Sequence, residues 1–140
     1  MSTRTYPTHE IAGVAEFRAA LRQFLRRSER VARSSGLTPQ RYLLLLMIKG
    51  AADGSERSTV TELAKRLQLA QSTVTELVRR AEEAGLVGRE PSSTDGRVAH
   101  LFLTAEGERR LMAAFTELDT ERRHLREVFS HLEEAGDPTS

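Results

Sequence analysis

The sequence predicts a mostly α protein with one small β-hairpin, and three observations carry that expectation. Leucine occurs 18 times and isoleucine twice in 140 residues, a bias toward the better helix former. Apolar residues recur at three- and four-residue steps over long stretches near both ends of the chain. Between these stretches a Pro/Ser/Gly-rich segment, PSSTDGR, separates two short runs that suit strands. The length fits a single domain over residues 1–140.

Residues 11–33 place Ile11, Val14, Phe17, Leu21, Phe24, Ser28 and Val31 at steps of 3, 3, 4, 3, 4 and 3, and Ser28 alone interrupts the apolar stripe. This spacing predicts an amphipathic helix whose stripe suits a partner helix. Arg22, Arg26, Arg27, Arg30 and Arg33 take the other side, and Gly36 stops the helix. A second helix starts at Thr38-Pro39, with the hydroxyl as N-cap and proline where its missing N–H costs nothing. Residues 42–48 are apolar on all sides, which puts this helix at the centre of the domain. Lys49-Gly50 closes it, and AADGSERS is a polar connection.

Thr59-Val60-Thr61-Glu62 has the form of a capping box, with Val60, Leu63, Ala64 and Leu67 on one face. Gln68-Leu69-Ala70 forms a turn. Residues 71–84 make the next helix, with Val74, Leu77, Val78 and Ala81 inward and Gly85 at its end. Residues 86–90 and 98–103 are the strands. Residues 105–135 read as one long helix, in which Leu111, Phe115, Leu118, Arg122, Leu125, Phe129 and Leu132 step by 4, 3, 4, 3, 4 and 3. At about 1.5 Å per residue it would extend roughly 45 Å, more than a compact domain of this size needs. The two end stripes can pack on each other within one chain. The sharper expectation is that two chains interlock them, because a helix projecting that far leaves apolar residues in water. Ile11, Val14, Leu118, Leu125, Phe129 and Leu132 are the candidate dimer contacts. The expected organisation is a lobe over residues 38–104 between dimerisation helices at 10–34 and 105–135.

Composition removes several function classes. Without cysteine there is no disulfide framework, thiolate zinc site, cysteine nucleophile or thiol redox sensor. The longest apolar run, residues 43–48, has six residues, against the ~18 of a membrane span. MSTRTYPTHE lacks the apolar stretch of a signal peptide, so a soluble cytoplasmic protein is expected. No nucleophile–base motif, Gly-rich phosphate loop or metal cluster appears, which argues against an enzyme and for neither metal nor cofactor. His9, His100, His124 and His131 are scattered, no two at the i, i+4 spacing of a helical metal pair. The net charge of +1 gives no bulk case for nucleic acid, and the 19 arginines run throughout the chain. A case for DNA has to rest on where charge is placed.

Helix, tight turn, helix, strand, exposed loop, strand is the order of a winged helix-turn-helix. Its second helix must present a polar N-terminal face to the major groove. Gln71, Ser72, Thr73 and Thr75 supply such a face, and Arg79 and Arg80 lie further along, toward phosphates. Arg97 at the loop tip is a candidate for the minor groove, whose negative potential attracts arginine, and Asp95 is placed to orient its guanidinium. The competing class is a winged-helix module that binds protein and not DNA.

The stretch TVTELAKRLQLAQSTVTELVRRAEEAGLVGREPSSTDGRVAHLFLTAEG, residues 59–107, resembles the core of the multiple-antibiotic-resistance regulator (MarR) family. The most specific parts are Leu63-Ala64, Ser72-Thr73-Val74-Thr75, Glu83-Ala84-Gly85-Leu86-Val87, Asp95-Gly96-Arg97 and Leu103-Thr104-Ala105-Glu106-Gly107. GLTPQRYLLLLMIKG upstream and the end helices extend the likeness to nearly the whole chain. The resemblance implies a homodimeric transcription regulator, usually a repressor, on a pseudo-palindromic operator. It further implies release by a small, often aromatic or phenolic, ligand in a pocket between the dimerisation helices and the DNA-binding lobe. Phe17, Leu21, Tyr42 and Phe115 are the candidate apolar lining. It also puts Gln71, Ser72, Thr73, Thr75, Arg79 and Arg80 on recognition-helix positions and Asp95 and Arg97 on the wing. The chain departs from the family pattern at three places. Ala70 stands where a serine or threonine is frequent, which weakens the N-cap. Glu76 stands where a basic residue is common, and a carboxylate facing phosphate costs affinity unless it reads a cytosine amino group or pairs with Arg79 or Arg80. Many members have two helices after the wing, whereas this pattern reads as one.

Overall fold

The computed structural model describes residues 3–92 and 94–135. Residues 1, 2, 93 and 136–140 lie outside the described residues, so the expectations for the first two residues and for the middle of the loop tip are not addressed by it. The elements are α1 (Thr8–Ser34), α2 (Pro39–Lys49), α3 (Val60–Leu67), α4 (Gln71–Glu83), β1 (Val87–Pro91), β2 (Ala99–Leu103), α5 (Ala105–Glu117) and α6 (Asp119–Ala135). The protein is therefore mostly α with one two-stranded antiparallel sheet. It divides into two units, one spanning Ala32–Phe115 and one holding α1 up to Val31 together with the chain from Thr116 onward. Among the described residues, no helix is long and apolar enough to cross a membrane.

In the Ala32–Phe115 unit, local chemistry sets nearly every boundary. Thr38 Oγ1 accepts from the Arg41 N–H at 3.1 Å, with Pro39 just inside the α2 start. Tyr42, Leu44, Leu45 and Ile48 are buried, and α2 packs on α3, α4 and β2. The expectation of burial on all sides fails at Leu43, which is 41% exposed, so α2 keeps one solvent edge. The Arg66 guanidinium donates to the carbonyls of Met47 and Gly50, both at 3.1 Å, and so closes the C-terminus of α2.

At α3 the capping box forms. Thr59 Oγ1 accepts from the Glu62 N–H, and the Glu62 carboxylate accepts from the Thr59 N–H, both at 3.2 Å. Gln68 ends α3 in the left-handed region at φ 58°. Ala70 starts α4 with no side-chain cap. Val74, Val78 and Ala81 of α4 are buried, and Gly85 (φ 76°) turns the chain as the Leu86 N–H reaches the Ala81 carbonyl at 2.9 Å.

The hairpin pairs Val87 with Leu103 through to Pro91 with Ala99. Ser58 extends it by exchanging both backbone bonds with Leu101, at 3.1 and 2.8 Å, and Leu101 is fully buried. Thr104 Oγ1 donates to the Gly85 carbonyl at 2.6 Å and accepts from the Gly107 N–H at 3.1 Å, which ties the start of α5 to the end of α4. Gly107 packs directly against the Leu86 carbonyl, leaving no room for a Cβ. Lys49 adds ion pairs to Glu108 and, at 3.0 Å, to Glu56.

The single long C-terminal helix does not form. The chain breaks at Leu118 into α5 and α6. Leu118 is fully buried, and its carbonyl accepts the Arg122 N–H at 2.8 Å to start α6. The Asp119 carboxylate sits in the first turn, where the helix dipole favours it, and pairs with Arg122 (3.4 Å) and Arg123 (2.9 Å). In the other unit, α6 packs on α1 within one chain. The Phe17 and Phe129 rings lie 5.7 Å apart at 58°, and Arg27 Nε meets Glu121 at 3.2 Å. Ser28, which interrupts the stripe in sequence, is nevertheless buried.

Candidate nucleic-acid interface

The N-terminal half of α4 presents Gln71, Ser72, Thr73 and Thr75 to solvent, while Val74 and Val78 hold the helix to the core. Gln71 Nε2 donates to Thr61 Oγ1 of α3 at 3.3 Å, a link across the turn. Because the Ala70 side chain offers no acceptor, the first backbone N–H groups of α4 keep no side-chain cap, and the helix dipole leaves them suited to an anion.

Further along, the cations are engaged. Arg79 donates from Nε and Nη2 to the two oxygens of Glu76 at 2.9 and 2.6 Å, and its Nη1 pairs with Glu83. Arg80 Nε donates to Glu76 at 3.1 Å. The Arg79 hydrogen bonds, aided by Arg80, hold the Glu76 carboxyl down to about 2, and the Arg79 guanidinium is pushed higher still by Glu76. The pairing with Arg79 and Arg80 that the sequence allows for Glu76 is formed.

The wing differs. Its base is braced by Arg57, which pairs with Glu90 and lies over the Phe102 ring at 5.5 Å, and by Arg89, which donates to Glu82 at 3.1 Å. At the tip, Asp95 Oδ1 accepts from the Arg97 backbone N–H at 3.0 Å and lies 3.4 Å from its Nε. The Arg97 side chain is 93% exposed. Thr61 of α3, Thr75 of α4, Arg89 of β1 and Arg97 line one cleft of about 300 Å³, so α4 and the hairpin tip open on the same side. Thr61 and Arg89 were not singled out by sequence. No local motif marks Arg89, and its register against Leu101 is what brings it to the cleft.

The remaining candidate residues are divided between the two units. Phe17 and Leu21 belong to the helical unit and are half-buried, whereas Tyr42 and Phe115 belong to the other unit. Tyr42, 5% exposed, is core. A cavity of about 440 Å³ between α1 and α6 is lined by Phe24, Arg27, His124 and Leu125 and by none of that quartet. Of the six candidate dimer contacts, Ile11, Val14 and Phe129 are 59%, 48% and 45% exposed, while Leu125 and Leu132 are half-buried. Leu118 has no surface left to offer a partner, because it is fully buried at the α5–α6 break.

Comparison with known proteins agrees with this geometry. The MarR family model matches residues 35–98, which hold α2, α3, α4 and β1. No curated protein sequence matches the chain. Among solved structures, AbsC, a MarR family transcriptional regulator from Streptomyces coelicolor, superposes with a TM-score of 0.70 at 22% identity, covering 98% of this chain and 95% of that one. The transcriptional regulator Tm0710 from Thermotoga maritima gives 0.62 at 27% identity over 82% and 76%. A mutant MepR from S. aureus, bound to an oligodeoxyribonucleotide, gives 0.64 at 22% identity over 81% of each chain. By the match over residues 35–98 and the fold shared along most of its length, the winged lobe is similar to the MarR family and the chain has the fold seen in that family's transcriptional regulators.

Proposed function

We propose that this protein is a sequence-specific DNA-binding transcription regulator, a repressor that acts as a homodimer on a pseudo-palindromic operator and is released by a small-molecule ligand. The observation that carries the DNA part is the shared cleft. Thr61, Thr75, Arg89 and Arg97 bring the two helices of the helix-turn-helix and the wing to one side of a single unit. A duplex can then take α4 in a major groove and Arg97 in the neighbouring minor groove. MepR bound to an oligodeoxyribonucleotide shows a protein of this fold on DNA. The exposed Ile11, Val14 and Phe129 support the homodimer, since apolar side chains at near-heptad spacing favour burial against a second copy. Two such lobes read half-sites about one helical turn, ~34 Å, apart. A releasing ligand and the operator must weaken each other's binding by the same factor.

The test is a gel shift on a duplex selected from a random pool, at fixed salt. Arg97→Ala should weaken binding by about 1–3 kcal/mol, roughly five- to 150-fold. An unchanged shift would remove the wing from the interface, and no shift with any duplex would favour a protein-docking module instead.

A further inference from the structure

We infer that Glu76 is a positioning residue that holds Arg79 and Arg80 away from the phosphate backbone, so that this helix discriminates against DNA of the wrong sequence. The inference rests on the DNA-binding reading above and adds to it a restraint built into the reading face. Ser72, Glu76, Arg79 and Glu83 fall three or four residues apart and so share one stripe of α4. On that stripe both edges of the Arg79 guanidinium are occupied, by the two oxygens of Glu76 (2.9 and 2.6 Å) and by Glu83, and Arg80 reaches the same Glu76 at 3.1 Å.

A phosphate seeking these guanidiniums must displace a carboxylate, so little is gained in the exchange. Any duplex offers phosphates. Non-specific binding, which runs almost entirely on phosphate contacts and counterion release, therefore loses two of its cations. A correct site adds base contacts from Gln71, Ser72, Thr73 and Thr75, which Glu76 does not oppose. Among the described residues the wing arginine carries no comparable restraint, since its side chain is 93% exposed and its Nε lies 3.4 Å from Asp95. Glu76 thus raises the ratio of specific to non-specific affinity while lowering both.

The experiment measures affinity of the full chain for a random-sequence duplex and for its selected duplex, from about 50 to 200 mM salt. Glu76→Gln should tighten random-duplex binding roughly tenfold at low salt and steepen its log–log salt slope by up to about 2, with a smaller gain on the selected duplex. Glu83→Gln should do the same more weakly, and adding Arg79→Ala to Glu76→Gln should remove most of the gain. A variant that merely folds less well loses affinity, so a gain cannot arise from damage. Unchanged affinity and slope in Glu76→Gln overturn the inference and leave the DNA reading intact. Absence of binding by the parent protein to every duplex overturns both.

Discussion

The recognition helix and the wing tip carry arginines of opposite character. Arg79 is clasped by Glu76 and Glu83, and Arg80 leans on Glu76. Arg97 projects into solvent, its guanidinium 3.4 Å from Asp95. The difference follows from backbone geometry. A helix sets residues three and four apart side by side, so acidic groups at 76 and 83 reach Arg79 without any tertiary help. A hairpin tip sends its side chains outward, and Asp95 is engaged mainly by the Arg97 backbone N–H at 3.0 Å. Residues 59–103 hold six basic and six acidic side chains, so the region is neutral by count. Charge available to a polyanion is nonetheless concentrated at the wing, while the helix releases its charge only by exchange.

That contrast depends on the hairpin being anchored, and the largest expected effect comes from loosening the anchor. Leu101 is fully buried and exchanges backbone bonds with Ser58, which ties β2 to the chain entering α3. Leu101→Ala should cost about 2–5 kcal/mol, the range for emptying a buried leucine site. A urea titration followed by circular dichroism reads it directly. An unchanged midpoint would mean that the wing is held by the backbone ladder alone.

A smaller effect of opposite sign is expected at the head of α4. Ala70 has extended backbone angles (φ −65°, ψ 148°) suited to an N-cap but no oxygen to offer. Ala70→Ser should add a bond to the N–H of Ser72 or Thr73 and stabilise the protein by about 1 kcal/mol. The melting temperature should rise by a few degrees. The same substitution sharpens the comparison with the wing, because it occupies N–H groups otherwise open to phosphate. Any loss of DNA affinity despite higher stability would mark those groups as contacts.

These sites were legible in the sequence to different depths. The caps at Thr38 and Thr59, the turn at 68–70 and the glycine at 85 were readable because each depends on side chains within four residues of the boundary. The break at Leu118 was not. Neither Gly nor Pro marks it, and the apolar spacing runs on through it, so nothing local distinguishes an interrupted helix from a continuous one. Burial of Leu118 and the new first turn at Asp119 decide the matter. Two helices, α5 and α6, therefore follow the wing where the sequence pattern reads as one. At the interface, sequence placed Glu76 beside Arg79 and Arg80 but left its partner open. Helical spacing brings both arginines within reach of Glu76, and side-chain rotamers turn both onto it.

The smallest expected effect isolates the clasp itself. The Glu76 carboxyl sits at about 2, against an ordinary value of 4.5, chiefly because Arg79 hydrogen-bonds its charged form. A depressed carboxyl stabilises the fold fully above its unfolded value and loses that contribution as pH falls through its folded value. The window is therefore between about pH 4.5 and 2. Exposed ion pairs on a helix contribute little each, so the change should be a shallow loss of α4 order and not unfolding of the protein. Carboxyl chemical shifts followed by NMR should show Glu76 titrating near the bottom of that window, and Arg79→Ala should return it most of the way to the ordinary range. If Glu76 titrates near its ordinary value in the parent protein, the carboxylate is not clasped in solution. The helix would then be as free to meet phosphate as the wing.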